Sequence, residues 1–121
     1  TLGIFIAHSL QLKGLKVCVV EGGKLQGREQ EWNVSMDELM ELVELGVLTL
    51  SDLDESIKTE FSVCRSGFKN KEVPTTGGYF ENGIGFECDT PDVLNLGVAP
   101  KVLIENVKQR FLKEGGVITE M

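Results

Sequence analysis

Gly3-Ile4-Phe5-Ile6-Ala7-His8-Ser9-Leu10-Gln11-Leu12-Lys13-Gly14-Leu15-Lys16-Val17-Cys18-Val19-Val20-Glu21-Gly22-Gly23 is the stretch on which the fold turns. Leu2, Phe5, Ile6 and Leu10 fall at helical spacing with Ile4, Ala7 and Leu12 between them. Residues 2–13 therefore read as a helix that is apolar nearly all round, the pattern of a deeply buried helix. Gly14 can take the left-handed conformation that ends a helix. The β-branched run at 15–20 then reads as a strand, apolar on both faces, as expected where helices cover a parallel sheet on each side. It ends at Glu21-Gly22-Gly23, where the chain must turn.

A helix opening at a glycine, a short strand, and an acid at the strand's end make up the second half of a mononucleotide-binding βαβ unit. Gly3 would be its last glycine, which allows helix and strand to pack closely. The helix N-terminus offers unpaired N–H groups to a pyrophosphate, and an acid about 20 residues on accepts the ribose hydroxyls. Glu21 stands at that distance, and Gly22 belongs to the same turn. The first strand and the two earlier glycines of such a unit are absent from the chain. An alternative therefore stays open, an ordinary βαβ crossover in which Gly3 is incidental and Glu21 only caps a strand end. A nicotinamide-nucleotide domain is a further alternative, with Glu21 favouring NAD by repelling a 2′-phosphate.

Beyond this unit, residues 24–32 read as polar loop. Ser35 and Glu38 form a capping box at the head of a helix whose apolar stripe is Met36, Leu39, Met40 and Val43, and Gly46 ends it. Ser51 and Asp54 repeat the cap pattern for a shorter helix to about residue 58. A loose strand is expected at 59–64, and a loop with one or two short strands at 65–92, with a hairpin turn at Asn82-Gly83. Pro100 opens a helix through residue 114 with Leu103, Ile104, Val107 and Phe111 on one stripe. Gly115-Gly116 stops it, and residues 117–120 follow as a strand.

The fold class is thus α/β, a partial Rossmann-like FAD/NAD(P)-binding domain over residues 1–121, without its first strand and with a helical insertion after the second. Both ends read as truncated, since Thr1 stands where an initiator or leader would be and the chain stops on a strand. With 41% hydrophobic and 26% charged residues, the composition is that of ordinary globular proteins. A net charge of -7 disfavours nucleic acid and anionic lipid as partners. No stretch approaches the roughly 20 apolar residues that a membrane-spanning helix needs. Cys18, Cys64 and Cys88 fit neither a disulfide framework nor a paired metal site, and His8 lacks a second ligand at metal spacing. The acidic helix pair over 35–58 leaves a non-enzymatic interaction module, with a basic partner, as a third alternative.

Three further runs carry a resemblance. Gly27-Arg28-Glu29-Gln30-Glu31-Trp32-Asn33, the helix at 38–48 (Glu-Leu-Met-Glu-Leu-Val-Glu-Leu-Gly-Val-Leu) and Asp92-Val93-Leu94-Asn95-Leu96-Gly97-Val98-Ala99-Pro100 together resemble the lycopene cyclase-like FAD-dependent oxidoreductases of plants and cyanobacteria. The resemblance implies FAD as cofactor, with Gly3 as the last glycine of the family's Gly-x-x-Gly turn. It implies that Thr1, Leu2 and Gly3 face the pyrophosphate and that Glu21 binds the adenosine ribose. Arg28 looks like the arginine that reaches the pyrophosphate, where a forked guanidinium suits phosphate oxygens. Pairing of Arg28 with Glu29 or Glu31 is the bland alternative, and Trp32 reads as a core anchor. The resemblance further implies a chloroplast setting and carotenoid biosynthesis. The family's isoalloxazine and substrate segments lie downstream, so no catalytic residue is assigned.

Overall fold

The computed structural model describes residues 2–69 and 85–121, a mixed α/β arrangement with four helices and three small sheets among the described residues. In chain order these are α1 (Gly3–Leu12), β1 (Cys18–Glu21), β2 (Trp32–Val34), α2 (Met36–Glu44), α3 (Leu50–Ser56) and β3 (Ile57–Glu60). There follow β4 (Val63–Lys69), β5 (Gly85–Pro91), β6 (Leu96–Val98), α4 (Pro100–Lys113) and β7 (Val117–Glu120).

The opening helix and strand form as their sequence predicts. Gly14, at φ +87°, makes the reversal between α1 and β1. The strand pairs in parallel with β7, Cys18 opposite Val117 and Glu21 opposite Glu120. Burial differs from the expectation. Ile4, Phe5, Ala7 and His8 are buried, but Leu2, Ile6, Leu10 and Leu12 are exposed, because α1 packs against α4 and β1 on one side only. The same holds for β1: Val19 and Ile118 pack on the core beneath the helices, while Cys18 and Val20 are exposed. The parallel pair is therefore covered on one face and not on both.

The core is built by α4 pressed between α1 and α3. Leu103, Ile104, Val107 and Phe111 are each 2% exposed or less, as the stripe after Pro100 predicts. Leu39 of α2, Leu53 of α3, and Val47 and Leu48 of the link between those helices join them. The Glu38 carboxylate accepts from Ser35 N–H at 2.8 Å and closes the expected capping box. Ser35 Oγ also accepts from Leu94 N–H at 2.9 Å. The next helix starts earlier than Ser51 suggests: Thr49 is its N-cap, with Asp52 N–H on Thr49 Oγ1 at 3.2 Å and Thr49 N–H on Asp52 Oδ2 at 2.8 Å. Tertiary burial sets this phase, since it turns both Leu53 and Asp52 inward toward α4.

Asp52 is the centre of a buried polar pin. Arg110 grips it with two nitrogens, at 2.6 and 3.1 Å, and also donates to Val47 O at 2.9 Å. Asn106 Nδ2 adds a bond to Asp52 at 2.9 Å and one to Glu55 at 3.1 Å. Burial alone would push the Asp52 carboxyl up. The hydrogen bonds from Arg110, Thr49 and Asn106, with the Arg110 charge, outweigh it and hold the carboxyl below its ordinary value.

Three short strands form an antiparallel sheet in the order β2-β6-β3, with the central β6 buried throughout. Neither β2 nor β6 is visible to periodicity, because three residues do not make a pattern. The strand expected at 59–64 is two strands: Phe61 N–H donates to Asn95 O at 2.8 Å at the end of β3, and β4 begins at Val63. β4 pairs with β5 from Val63 opposite Pro91 to Lys69 opposite Gly85. The turn expected at Asn82-Gly83 lies outside the described residues.

Candidate functional site

The site is assembled around the segment that leaves β1. Burial alternates along it: Leu25 and Gly27 are buried, while Lys24, Gln26 and Arg28 are exposed. Each buried residue is an anchor. Leu25 is 1% exposed, and its N–H donates to Glu120 Oε1 at 2.8 Å while its carbonyl accepts from Lys108 Nζ at 3.2 Å. Lys108 also pairs with Glu120 at 3.4 Å, so α4 and β7 clamp this residue together. The bond from Leu25 N–H is the main reason that the Glu120 carboxyl lies below its ordinary value; exposure limits the opposing effect of burial, and Lys108 and the Lys24 charge add to the lowering. Gly27 lies against the backbone of Pro100 and Lys101, where a side-chain carbon would collide. With Leu25 and Gly27 held inward, Lys24, Gln26 and Arg28 are the residues of this segment left exposed.

Those three side chains line a cavity of about 520 Å³, whose walls are Leu2, Lys24, Gln26, Gly27, Arg28 and Trp32. That volume lies within the range of small-molecule sites. Leu2 brings in the start of α1, which has no side-chain cap and no acid in its first turn. Its leading N–H groups are of the kind that attract anions. The electrostatics run against the whole: in a chain of net charge -7, two cations and no carboxylate line this cavity among the described residues. Arg28 makes no hydrogen bond or ion pair among the described residues. The pairings with Glu29 and Glu31 do not form, because Glu29 binds Lys101 at 2.6 Å and Glu31 accepts from Thr59 at 3.3 Å.

Of the residues that sequence points to, Leu2 and Arg28 meet in the cavity wall. Gly3 opens α1 next to Leu2, and an added Cβ there would meet nothing within 4 Å, so the close helix–strand packing expected at this glycine is not seen among the described residues. Glu21 is half-buried at the end of β1, paired in register with Glu120 of β7. Gly22, next to it, is exposed, and both stand outside the cavity lining. Thr1 lies outside the described residues. Trp32 combines two roles, half-buried against the core and forming a wall of the cavity. Lys24, Gln26 and Gly27 are the residues that sequence reading passes over. The signal that could find them is the period-two alternation from Lys24 to Arg28.

Elsewhere the chemistry is sparse. A second cavity of about 200 Å³, between α1 and α2, is walled mainly by apolar side chains such as Ile6, Leu42 and Leu45. Among the described residues there is no group of three His, Cys, Asp or Glu that could hold a metal, and all three cysteines are free thiols. His8 is buried in α1 with Nδ1 on Gln11 Oε1 at 2.9 Å. No described helix is long and apolar enough to cross a membrane. No family model, curated protein or solved structure matches the chain.

Proposed function

We propose that this chain supplies the adenosine and pyrophosphate part of the flavin site in an FAD-dependent oxidoreductase of the lycopene cyclase-like family. The single observation that carries the reading is the cavity at the mouth of α1, lined among the described residues by Lys24 and Arg28 and by no acid, in an acidic chain. An anion is what such walls stabilise, and the residues present suit a pyrophosphate: Arg28 for its oxygens and the α1 amides behind Leu2 and Gly3 for its charge, with Glu21 at the end of β1 as the acid for the ribose. Bound FAD would supply the electron chemistry, and these residues only hold and orient it. On this reading the domain is Rossmann-like and without its first strand. The bare apolar side of α1 and the exposed Val20 are the surfaces such a strand and its neighbours would cover. A chloroplast setting and a part in carotenoid biosynthesis belong to the same proposal.

The test is residue-resolved, because affinity in the chain alone is expected to be weak without the central strand of the sheet. FAD titrated into the 15N-labelled chain should shift the amides of residues 3–5 and 24–28, and Glu21→Ala and Arg28→Ala should each diminish the response. Shifts confined to other surfaces, or unchanged binding in both variants, would reject the flavin site. Sub-micromolar affinity would contradict the missing strand.

A further inference from the structure

Arg28 is the only cation that the flavin reading uses, yet the cavity has a second. Lys24 lines the same walls, and neither it nor Arg28 forms a hydrogen bond or ion pair within 4 Å among the described residues; Glu120, whose charge acts on Lys24, is already engaged by Leu25 N–H and Lys108. Both cations are also held in place by what lies between them. Leu25 and Gly27 are seated on β7 and α4, so the exposed residues on either side cannot swing inward, and Gln26 stands between the two charges as an uncharged hydrogen-bonding group. Four residues of chain separate Lys24 from Arg28 by at most about 14 Å. Two long side chains leaving the same side of such a segment toward one cavity can bracket a pair of adjacent phosphates, whereas a lone phosphate would engage one of them well and the other poorly.

We propose that Lys24 is a second phosphate-binding residue, which together with Arg28 makes the cavity selective for a diphosphate over a monophosphate. The proposal rests on the anion-binding reading of this cavity, but not on FAD being the ligand. The two side chains divide the work as their chemistry allows: the planar Arg28 fork takes two oxygens of one phosphate, and the compact Lys24 ammonium neutralises the other.

The experiment is an amide-shift titration of the full chain with inorganic pyrophosphate, inorganic phosphate and FAD in turn, at fixed low salt. Pyrophosphate should bind about tenfold more tightly than phosphate. Lys24→Gln should weaken pyrophosphate roughly fivefold and leave phosphate nearly unchanged, and Lys24→Arg should restore most of the loss. Because Lys24 is exposed and caps nothing, the amide spectrum of each variant also verifies that the fold is retained. If Lys24→Gln binds pyrophosphate as the parent does, or if phosphate and pyrophosphate bind alike, the second cation is overturned. Should FAD shift the cavity amides while Lys24→Gln changes neither ligand, only this inference fails and the flavin site stands. Should pyrophosphate binding depend on Lys24 while FAD leaves the cavity undisturbed, the flavin reading fails and a site for a smaller diphosphate stands. Absence of any pyrophosphate response at residues 24–28 overturns both.

Discussion

Asp52 with Arg110, and Lys24 with Arg28, are two treatments of charge in one small molecule. In the first, both ends of the guanidinium and both carboxylate oxygens are engaged, although Arg110 Nε has no partner among the described residues: the guanidinium holds a carboxylate and a carbonyl, and the carboxylate accepts from an arginine, an asparagine and a backbone amide. In the second, two cations line a cavity and make no hydrogen bond or ion pair among the described residues, Lys24 feeling only the charge of Glu120. The difference teaches where to look for function. Saturated charge joins helices, and charge left unsaturated in a concave surface is free for a ligand.

Each side of that contrast can be attacked. The largest effect should come from Arg110→Ala, which leaves the Asp52 carboxylate buried without its main partner. We expect a loss of about 3 kcal/mol in urea unfolding. Lys in its place should recover only part, since an ammonium cannot fork onto both oxygens and Val47 O together. Gly27→Ala comes next, at about 1–3 kcal/mol, because the added carbon meets the backbone of Pro100 and Lys101. The same variant should displace Lys24 and Arg28 and weaken pyrophosphate binding in the titration, which ties the anchor to the site.

Acid should act on the pin in a defined direction. The folded Asp52 carboxyl lies below its ordinary value of 3.8, so its contribution is fully present above that pH and is lost as pH falls through the folded value. Denaturation followed between pH 6 and pH 2 should show a stability drop that Asp52→Asn flattens, at the cost of lower stability near neutrality. Smallest in stability are Lys24→Ala and Arg28→Ala, each expected within about 0.5 kcal/mol of the parent. If either destabilises the fold as Arg110→Ala does, the cations are structural after all and the contrast dissolves.

How much of this could be read beforehand follows the range of the forces involved. Helix α4 was legible to its last turn, because Pro100, the Leu103 to Phe111 stripe and Gly115 are all local signals. So were α1, the Gly14 reversal and β1. What escaped depends on partners distant in sequence. The three-residue strands β2 and β6 exist because each finds the other, and α3 begins at Leu50 because Asp52 must face Arg110. The exposed side of α1 escaped for the same reason, since composition cannot say which apolar face will be covered. At the candidate site, Arg28 and Leu2, to which the resemblance points, both fall in the cavity wall. Lys24 was not legible, because its meaning comes from Leu25 and Gly27, whose anchoring groups lie on β7 and α4.

The parallel ladder has a consequence for the order of assembly. Cys18 meets Val117, so the strand nearest the start of the chain finds its neighbour only at the far end. Closing so long a loop carries an entropic cost that no contact offsets until the ends meet, and connections of this kind are slow to form. The α3–α4 pin joins residues closer in sequence and should organise earlier. In a stopped-flow refolding experiment, protection at residues 18–21 and 117–120 should therefore trail protection in α4.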